Sequence, residues 1–155
     1  MTETINAVQS EQLVSESDYI ELCRLVTEQV VRNDSGHADT IYELYSEDGE
    51  LDIGTGTLRG HNAIREWGRK LVEAPPWRII RHAASNMHFV YDGPDAAEGT
   101  TLLTVFMVAG SNDATTLPWN IGEDHDRYVR TADGWKIKSR KWINLFSRGD
   151  SIPLP

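Results

Sequence analysis

The sequence predicts an α+β fold, in which helices from the first half of the chain pack on one face of a curved antiparallel sheet from the second half. Apolar residues recur at helical spacing through the first half, up to two consecutive prolines at positions 75–76. The second half instead holds four segments rich in strand-forming residues, separated by turn residues. Helices that precede strands in this way are typical of proteins whose helices cover one side of an antiparallel sheet.

Three helices are predicted in the first half. Ser15 and the acidic residues after it form a helix-capping pattern, and apolar residues then recur every three or four positions to about residue 31. A short second helix is predicted around Ile41. The third helix should begin at Gly60 and end before Pro75, because proline cannot continue the helical hydrogen-bond ladder.

The strands are predicted from alternating apolar residues and from turn residues. Residues 51–53 and 57–59 flank two glycines and predict a small hairpin between the second and third helices, and residues 47–49 predict a turn before it. The other predicted strands form a four-stranded meander over residues 78–91, 100–109, 119–130 and 135–146.

Length and composition indicate one folded domain. The chain has 155 residues, of which 39% are hydrophobic and 25% are charged, as in ordinary globular proteins. We expect a flexible lead over residues 1–14, the domain over residues 15–146, and a tail over residues 147–155. Cys23 is the only cysteine, so an intrachain disulfide is excluded.

The charge of the chain limits its partners. The formal net charge is -9 at pH 7, so the protein should repel nucleic acids and anionic membranes. The apolar stretch around residues 105–109 is too short to span a bilayer, and the first residues lack the pattern of a signal peptide. We therefore expect a cytoplasmic protein with neither nucleic acid nor membrane as a partner.

Asp34 and His82 supply the chemistry that the sequence offers. An imidazole and a carboxylate are the minimum pair for moving a proton at neutral pH, because the ring accepts the proton and the carboxylate orients the ring. Both also have a structural interpretation, as a helix cap and as a half-buried strand histidine. Residues 123–126 contain metal-ligand types, but strand alternation turns His125 away from its neighbours, so we expect no metal site.

Four segments carry a resemblance to a known family. Residues 44–49, 58–64, 81–86 and 126–137, in this order and spacing, resemble the nuclear transport factor 2-like superfamily and, within it, the SnoaL-like group. That group includes polyketide cyclases, scytalone dehydratase and hexachlorocyclohexane dehydrochlorinase. The resemblance covers residues 15–146 and implies a cone-shaped, curved antiparallel sheet wrapped by three N-terminal helices, which is the cystatin-like α+β barrel.

The resemblance also implies a set of site residues. In the dehydrochlorinase and dehydratase members, an aspartate after the first helix pairs with a histidine on the long strand, and Asp34 and His82 occupy these positions. Arg130 matches an arginine of the dehydrochlorinase and would stabilise a leaving anion or an enolate. The further substrate-binding residues on this resemblance are Tyr19, Tyr45, Asn86 and Tyr128.

The activity implied by the resemblance is that of a lyase or isomerase without a cofactor. His82 would remove a proton from a small hydrophobic substrate. The outcome would be elimination, as in a dehydratase or dehydrohalogenase, or else isomerisation or cyclisation. The resemblance further implies a homodimer or a homotrimer.

Two other functions fit the same resemblance. One is a non-catalytic scaffold or ligand-binding module, as in the small subunits of ring-hydroxylating dioxygenases. The other is epoxide hydrolysis by an Asp–Arg–Asp arrangement, as in limonene epoxide hydrolase. Asp124, Asp126 and Arg127 supply the residue types for it, but strand alternation turns Arg127 away from both aspartates.

Overall fold

A computed structural model describes residues 12–109 and 117–148 of the chain. Two α-helices, α1 (Glu16–Asp34) and α2 (Gly60–Glu73), lie on either side of a 3₁₀ helix (Ala38–Leu44). The six strands are β1 (Tyr45–Asp52), β2 (Thr57–Arg59), β3 (Ile79–Tyr91), β4 (Ala96–Val108), β5 (Asn120–Thr131) and β6 (Gly134–Ser147). None of the helices in the described part of the chain is long and apolar enough to cross a membrane.

The three predicted helices are confirmed, with two differences. Ser15 caps α1 as predicted, because its hydroxyl accepts a hydrogen bond from the backbone N–H of Asp18 at 3.2 Å. The helix continues past the predicted end to Asp34, and Gly36 follows it with a φ of 81°. The second helix has 3₁₀ geometry, as short connecting helices often do.

The six strands form one curved, unclosed sheet in the order β2-β1-β6-β5-β4-β3. The predicted four-stranded meander is confirmed as β3 to β6, and every neighbouring pair is antiparallel except β1 and β6, which are parallel. The predicted turn at residues 47–49 is wrong, because these residues belong to β1. The glycine at position 49 instead accompanies a shift of register between β1 and β6, where a Cβ atom would lie 2.9 Å from Tyr45.

A bulge in β3 decides which of its side chains face the helices. His82 and Ala84 are partly covered on the inner face, whereas Phe89 continues that face five residues later rather than four. The pairing with β4 shifts between Ser85 and His88, and Asn86 there has a φ of 48°. Asparagine tolerates this left-handed conformation better than other non-glycine residues, so it fits the bulge.

The helices fill the concave side of the sheet. The core combines residues of the helices and of the inner strand positions, namely Leu22, Val26, Ile41, Ile64, Phe89, Tyr128 and Ile137. Part of the predicted flexible lead joins the sheet, because Leu13 bridges Val90 and the Tyr91 N–H donates to the Gln12 carbonyl at 2.9 Å. Residues 1–11 of that lead and residues 149–155 of the predicted tail lie outside the described residues.

Buried Asp18 closes the end of the structure at which α1 begins. Its carboxylate accepts hydrogen bonds from Trp135 Nε1 at 2.9 Å, Arg130 Nη2 at 2.7 Å and the Tyr91 hydroxyl at 2.5 Å. Burial opposes the charge, but these three donors outweigh it and lower the pKa of Asp18 well below its usual value. The first turn of α1 is therefore fastened to β3, β5 and β6.

Helix α2 packs against the 3₁₀ helix through Gly68, where no side chain fits. A Cβ atom at this position would lie 2.1 Å from the carbonyl oxygen of Ala38. We expect Gly68→Ala to lower the free energy of unfolding by at least about 2 kcal/mol, because the clash with rigid backbone exceeds the gain of roughly 1 kcal/mol in helix propensity. Urea unfolding measures the change.

Gly56→Ala is the matched control, because a Cβ atom at Gly56 meets nothing within 4 Å. It should leave the unfolding midpoint nearly unchanged. Equal midpoints for Gly68→Ala and the wild-type protein would contradict the close approach of α2 to the 3₁₀ helix.

Candidate active site

Asp34 and His82 form a hydrogen-bonded pair between the end of α1 and the middle of β3. The Asp34 carboxylate accepts from His82 Nδ1 at 2.6 Å through Oδ1, and from the His82 backbone N–H at 2.8 Å through Oδ2. The side chains are only 11% and 16% exposed. Both oxygens of Asp34 are thus used on His82, and the carboxylate does not cap the 3₁₀ helix, whose N-cap residue is His37.

Neighbouring backbone fixes the pair in place. The guanidinium of Arg81 donates to the backbone carbonyl of Asp34 at 2.9 Å, and so joins the last turn of α1 to β3. His82 lies in register with Val105 on β4, which lies in register with Asn120 on β5. These three side chains therefore follow one another across the inner face of the sheet.

His82 lines a cavity of about 250 Å³ between the helices and the sheet, which we call the inner cavity. Because Nδ1 is held by Asp34, Nε2 is the nitrogen left to meet a ligand, and no described residue bonds it. The walls are largely apolar. They include four tryptophans, Trp67, Trp77, Trp119 and Trp142, with Val30, Leu51, Ile53, Leu71, Ile80, Leu103, Val105 and Met107.

Several polar groups interrupt this apolar lining. The Oδ1 atoms of Asn33 and Asn120 and the Nε1 atom of Trp67 are buried, and they have no hydrogen-bond partner among the described residues. Buried polar groups ordinarily have partners, so unpartnered ones in a cavity wall are suited to bind a polar group of a ligand. The sequence contains no local signal for them, because only tertiary packing buries these atoms.

A buried cluster of charges lies on the wall formed by β5 and β6. Arg140 binds Asp126 through two hydrogen bonds of 2.8 and 2.5 Å, and its Nη1 lies 3.4 Å from Asp124. The Tyr128 hydroxyl also donates to Asp126 at 2.6 Å, so the Asp126 oxygens are occupied. Asp124 and Arg140 line the inner cavity.

Sequence analysis missed this cluster as a unit. It grouped Asp124 and Asp126 with Arg127, which is exposed and pairs with Asp92 and Glu98 on the outer face, as the alternation predicts. A register counted from the β5–β6 turn would set Asp126 opposite Ser139, but a shift between Arg127 and Tyr128 sets it opposite Arg140, so the sequence carried no local signal for this pair.

Asp124 has an environment that favours its protonated form. Burial raises the pKa of its carboxyl to about 6, with a further contribution from the Asp126 carboxylate, while Arg140 and His82 oppose the shift. Burial likewise raises the pKa of Tyr128 well above its usual value. Asp124 can therefore exchange a proton near neutral pH within the inner cavity.

The structure does not bring the other predicted site residues to the inner cavity. Arg130 pairs with Asp18, and its guanidinium lies 4.4 Å from the centre of the Trp135 ring. It shares the inner face of β5, but it lies at the far end of the strand beside the start of α1. The arginine that lines the inner cavity is Arg140, whereas Arg130 was the one predicted to stabilise a leaving anion or an enolate.

The remaining four residues also lie outside the lining of the inner cavity. Tyr19 is 43% exposed and packs edge-on against Phe89. Tyr45 is buried, and its hydroxyl donates to Gln29 Oε1 at 3.0 Å, so Tyr45 helps to position Gln29, which lines the cavity. Tyr128 supports Asp126 in the same way, and Asn86 is exposed at the β3 bulge.

No group of three or more histidine, cysteine or carboxylate side chains in residues 12–109 and 117–148 is arranged to hold a metal ion. The two carboxylates closest to such a role, Asp124 and Asp126, are paired with Arg140 instead.

The raised pKa of Asp124 makes the stability of the protein depend on pH. A carboxyl that binds its proton more tightly in the folded state contributes stability that is complete below about pH 4 and is lost as the pH rises through about 6. Asp124→Asn removes this dependence. We therefore expect the unfolding free energy of the variant, relative to wild type, to rise between about pH 4 and pH 7 by on the order of 2 kcal/mol.

Urea unfolding at several pH values checks this, with Asp133→Asn in the exposed β5–β6 turn as the control. The difference in unfolding free energy between Asp133→Asn and wild type should not rise over this pH range. A difference between Asp124→Asn and wild type that stays constant with pH would contradict the raised pKa.

Comparisons with known proteins agree with this fold. A family model of the SnoaL-like domain matches residues 15–141. A protein named as a candidate scytalone dehydratase from Novosphingobium aromaticivorans is 15% identical, with a TM-score of 0.74, and the match covers 91% of this chain and 95% of that one. A comparison with curated proteins found no match.

Two further solved structures have the same architecture. An NTF2-like protein with a cystatin-like fold from Novosphingobium aromaticivorans is 24% identical, with a TM-score of 0.69 and coverage of 87% of this chain and 85% of that one. ActVI-ORFA from Streptomyces coelicolor is 18% identical, with a TM-score of 0.69 and coverage of 81% and 96%. The TM-scores of these structures show a shared fold. Because the family model matches most of the chain, the chain belongs to the SnoaL-like domain family of the nuclear transport factor 2-like superfamily.

Proposed function

We propose that the protein is a cofactor-independent enzyme that removes a proton from a small, mainly hydrophobic substrate. The observation that carries the proposal is the hydrogen-bonded Asp34–His82 pair in the wall of a largely apolar cavity of about 250 Å³. A positioned imidazole at such a site can act as a general base. The name of one similar structure, a candidate scytalone dehydratase, agrees with an elimination reaction.

In the proposed first step, His82 Nε2 accepts a proton from a substrate carbon. Asp34 keeps the Nδ1–H of the ring directed at its carboxylate, so the lone pair of Nε2 faces the inner cavity. When the ring gains the proton, the nearby carboxylate compensates its positive charge. The second hydrogen bond, which the His82 backbone N–H donates to Asp34, limits movement of the histidine during this step.

The electron pair released from carbon then determines the product. In an elimination it forms a C=C bond as the leaving group departs, in an isomerisation the proton returns to another carbon, and in a cyclisation the carbanion attacks a carbonyl carbon. Asp124, in its protonated form, is suited to give a proton to the departing or newly charged oxygen. The indole N–H of Trp67 is a second donor in the cavity wall.

Because all three outcomes begin with the same C–H cleavage, exchange of that hydrogen with solvent deuterium tests them together. We expect the wild-type protein to catalyse exchange into members of a panel of bicyclic aryl ketones, followed by mass spectrometry. His82→Ala should lower the exchange rate by about 10² to 10⁴-fold, the usual contribution of a general base. Asp34→Asn should lower it by about 10²-fold, because the amide can donate to Nδ1 and reverse the ring tautomer.

His88→Ala is the matched control, since His88 is an exposed histidine on the same strand beyond the bulge. It should exchange at the wild-type rate. Full exchange by both His82→Ala and Asp34→Asn would overturn the proposed function and favour the scaffold or ligand-binding role.

Epoxide hydrolysis is a second candidate, favoured by the buried Asp124–Arg140–Asp126 cluster. Since Asp126 is occupied by Arg140 and Tyr128, Asp124 would be the acid and His82 the base. His82 would take a proton from water, the water oxygen would attack an epoxide carbon, and Asp124 would protonate the oxygen released by C–O cleavage.

Reaction of bicyclic aryl epoxides in ¹⁸O-labelled water tests this candidate. We expect one labelled oxygen in each diol, and loss of turnover in Asp124→Asn because that variant has no proton to give. Asp133→Asn, in the exposed turn, is the control. Diol formation at the wild-type rate by Asp124→Asn would exclude the assignment of Asp124 as the acid.

A further inference from the structure

A second cavity adjoins the inner one. This outer cavity has a volume of about 330 Å³ and shares four lining residues with the inner cavity, namely Asn33, Leu71, Trp77 and Ile80. The two spaces therefore meet at a common wall between α1, the end of α2 and the start of β3. His82 lines the inner cavity and its neighbour Arg81 lines the outer one, so the two spaces lie next to each other.

Two arginines give the outer cavity a positive charge. Arg78 and Arg81 line it, and neither forms an ion pair with a carboxylate among the described residues. Asp34 is the one carboxylate in its lining, and both of its oxygens accept hydrogen bonds from His82. Of the nine other arginines, Arg24, Arg65 and Arg148 also form no ion pair among the described residues, and six are paired with acidic side chains: Arg32, Arg59, Arg69, Arg127, Arg130 and Arg140.

The guanidinium of Arg81 is already held in position. Its Nη1 atom donates to the backbone carbonyls of Asp34 at 2.9 Å and Ile80 at 2.6 Å. These bonds leave Nε and Nη2 without a partner among the described residues. The backbone N–H of Arg78 donates to the Val108 carbonyl at 2.8 Å, so the chain that carries the second guanidinium is also fixed.

This charge is unusual in its setting. The protein has a net charge of -9, so its overall field repels anions. Two unpaired guanidinium groups at one cavity create a local site of opposite sign, and the planar donors of arginine match carboxylate and phosphate oxygens. A neutral ligand could accept hydrogen bonds from them but would lack the charge attraction, and a cationic ligand would be repelled.

We propose that the substrate carries an anionic substituent, a carboxylate or a phosphate, which Arg78 and Arg81 bind in the outer cavity while the hydrophobic part lies beside His82. This proposal names the substrate class, and it rests on the proposed function, because the bound anion is a substrate only if His82 acts as the base. The binding of the anion itself does not require turnover and can be measured separately.

Isothermal titration calorimetry with three matched probes tests the proposal. The probes are 4-(2-naphthyl)butanoate, 2-(2-naphthyl)ethyl phosphate and the neutral 4-(2-naphthyl)butanamide. We expect at least one anion to bind the wild-type protein about fivefold more tightly than the amide, which is the upper range for an ion pair open to solvent. The anion with the greater advantage identifies the natural group, and added salt should reduce that advantage.

Arg78→Gln should abolish the preference for the anion, and Arg78→Lys should keep part of it. Arg24→Gln is the charge-matched control, because Arg24 is an exposed arginine of α1 that does not line either cavity. The proposal is overturned if the three probes bind the wild-type protein equally, or if Arg24→Gln loses the preference as fully as Arg78→Gln.

The two proposals can fail independently. Anion preference that depends on Arg78, together with unchanged deuterium exchange in His82→Ala, would retain the anion site and reject the enzyme. Loss of exchange in His82→Ala, together with equal binding of the three probes, would retain the enzyme and reject the anion site.

Discussion

The two hydrogen bonds that the Asp34 carboxylate accepts from His82 join the parts of the structure on which the site depends. They connect the C-terminal end of α1 to the middle of β3, and one helix thereby sets the orientation of a ring on the opposing sheet. A carboxylate this well covered requires partners, because an unpaired buried charge costs several kcal/mol. Because Nδ1 and the backbone N–H of His82 both donate to Asp34, Nε2 is the ring nitrogen left to bind a ligand in the inner cavity.

The Asp124–Arg140–Asp126 cluster lies on β5 and β6, separated from this pair by the single strand β4, and has a different role. Arg140 and the Tyr128 hydroxyl both donate hydrogen bonds to Asp126. Because these three groups bond to one another, we assign them a structural role rather than a reactive one. Asp124 is the less strongly bonded member and the one with the raised pKa. In the proposed function, the base lies on β3 and the proton donor on β5, and both line the inner cavity.

Local patterns were enough to predict most of the fold. Ser15 as a cap, the prolines after α2, and the alternation along β3 to β6 each act within a few residues, and the structure contains all of them. The parallel pairing of β1 with β6 and the bulges at positions 49 and 86 depend on contacts between distant segments, so the sequence pattern alone did not predict them. The same reason explains Arg130 and Arg140: alternation turns Arg130 inward beside Asp18, whereas Arg140 faces the cavity only because the register of β5 and β6 shifts between Arg127 and Tyr128.

The most direct test of this account is ¹⁵N NMR spectroscopy of the His82 ring in the wild-type protein, because the tautomer of the neutral imidazole is the physical basis of the proposed proton transfer. We expect a protonated Nδ1 bonded to Asp34 and an unprotonated Nε2, and we expect this preference to disappear in Asp34→Ala. A neutral ring with its proton on Nε2 would contradict it, because Nε2 could then not accept a proton from a substrate.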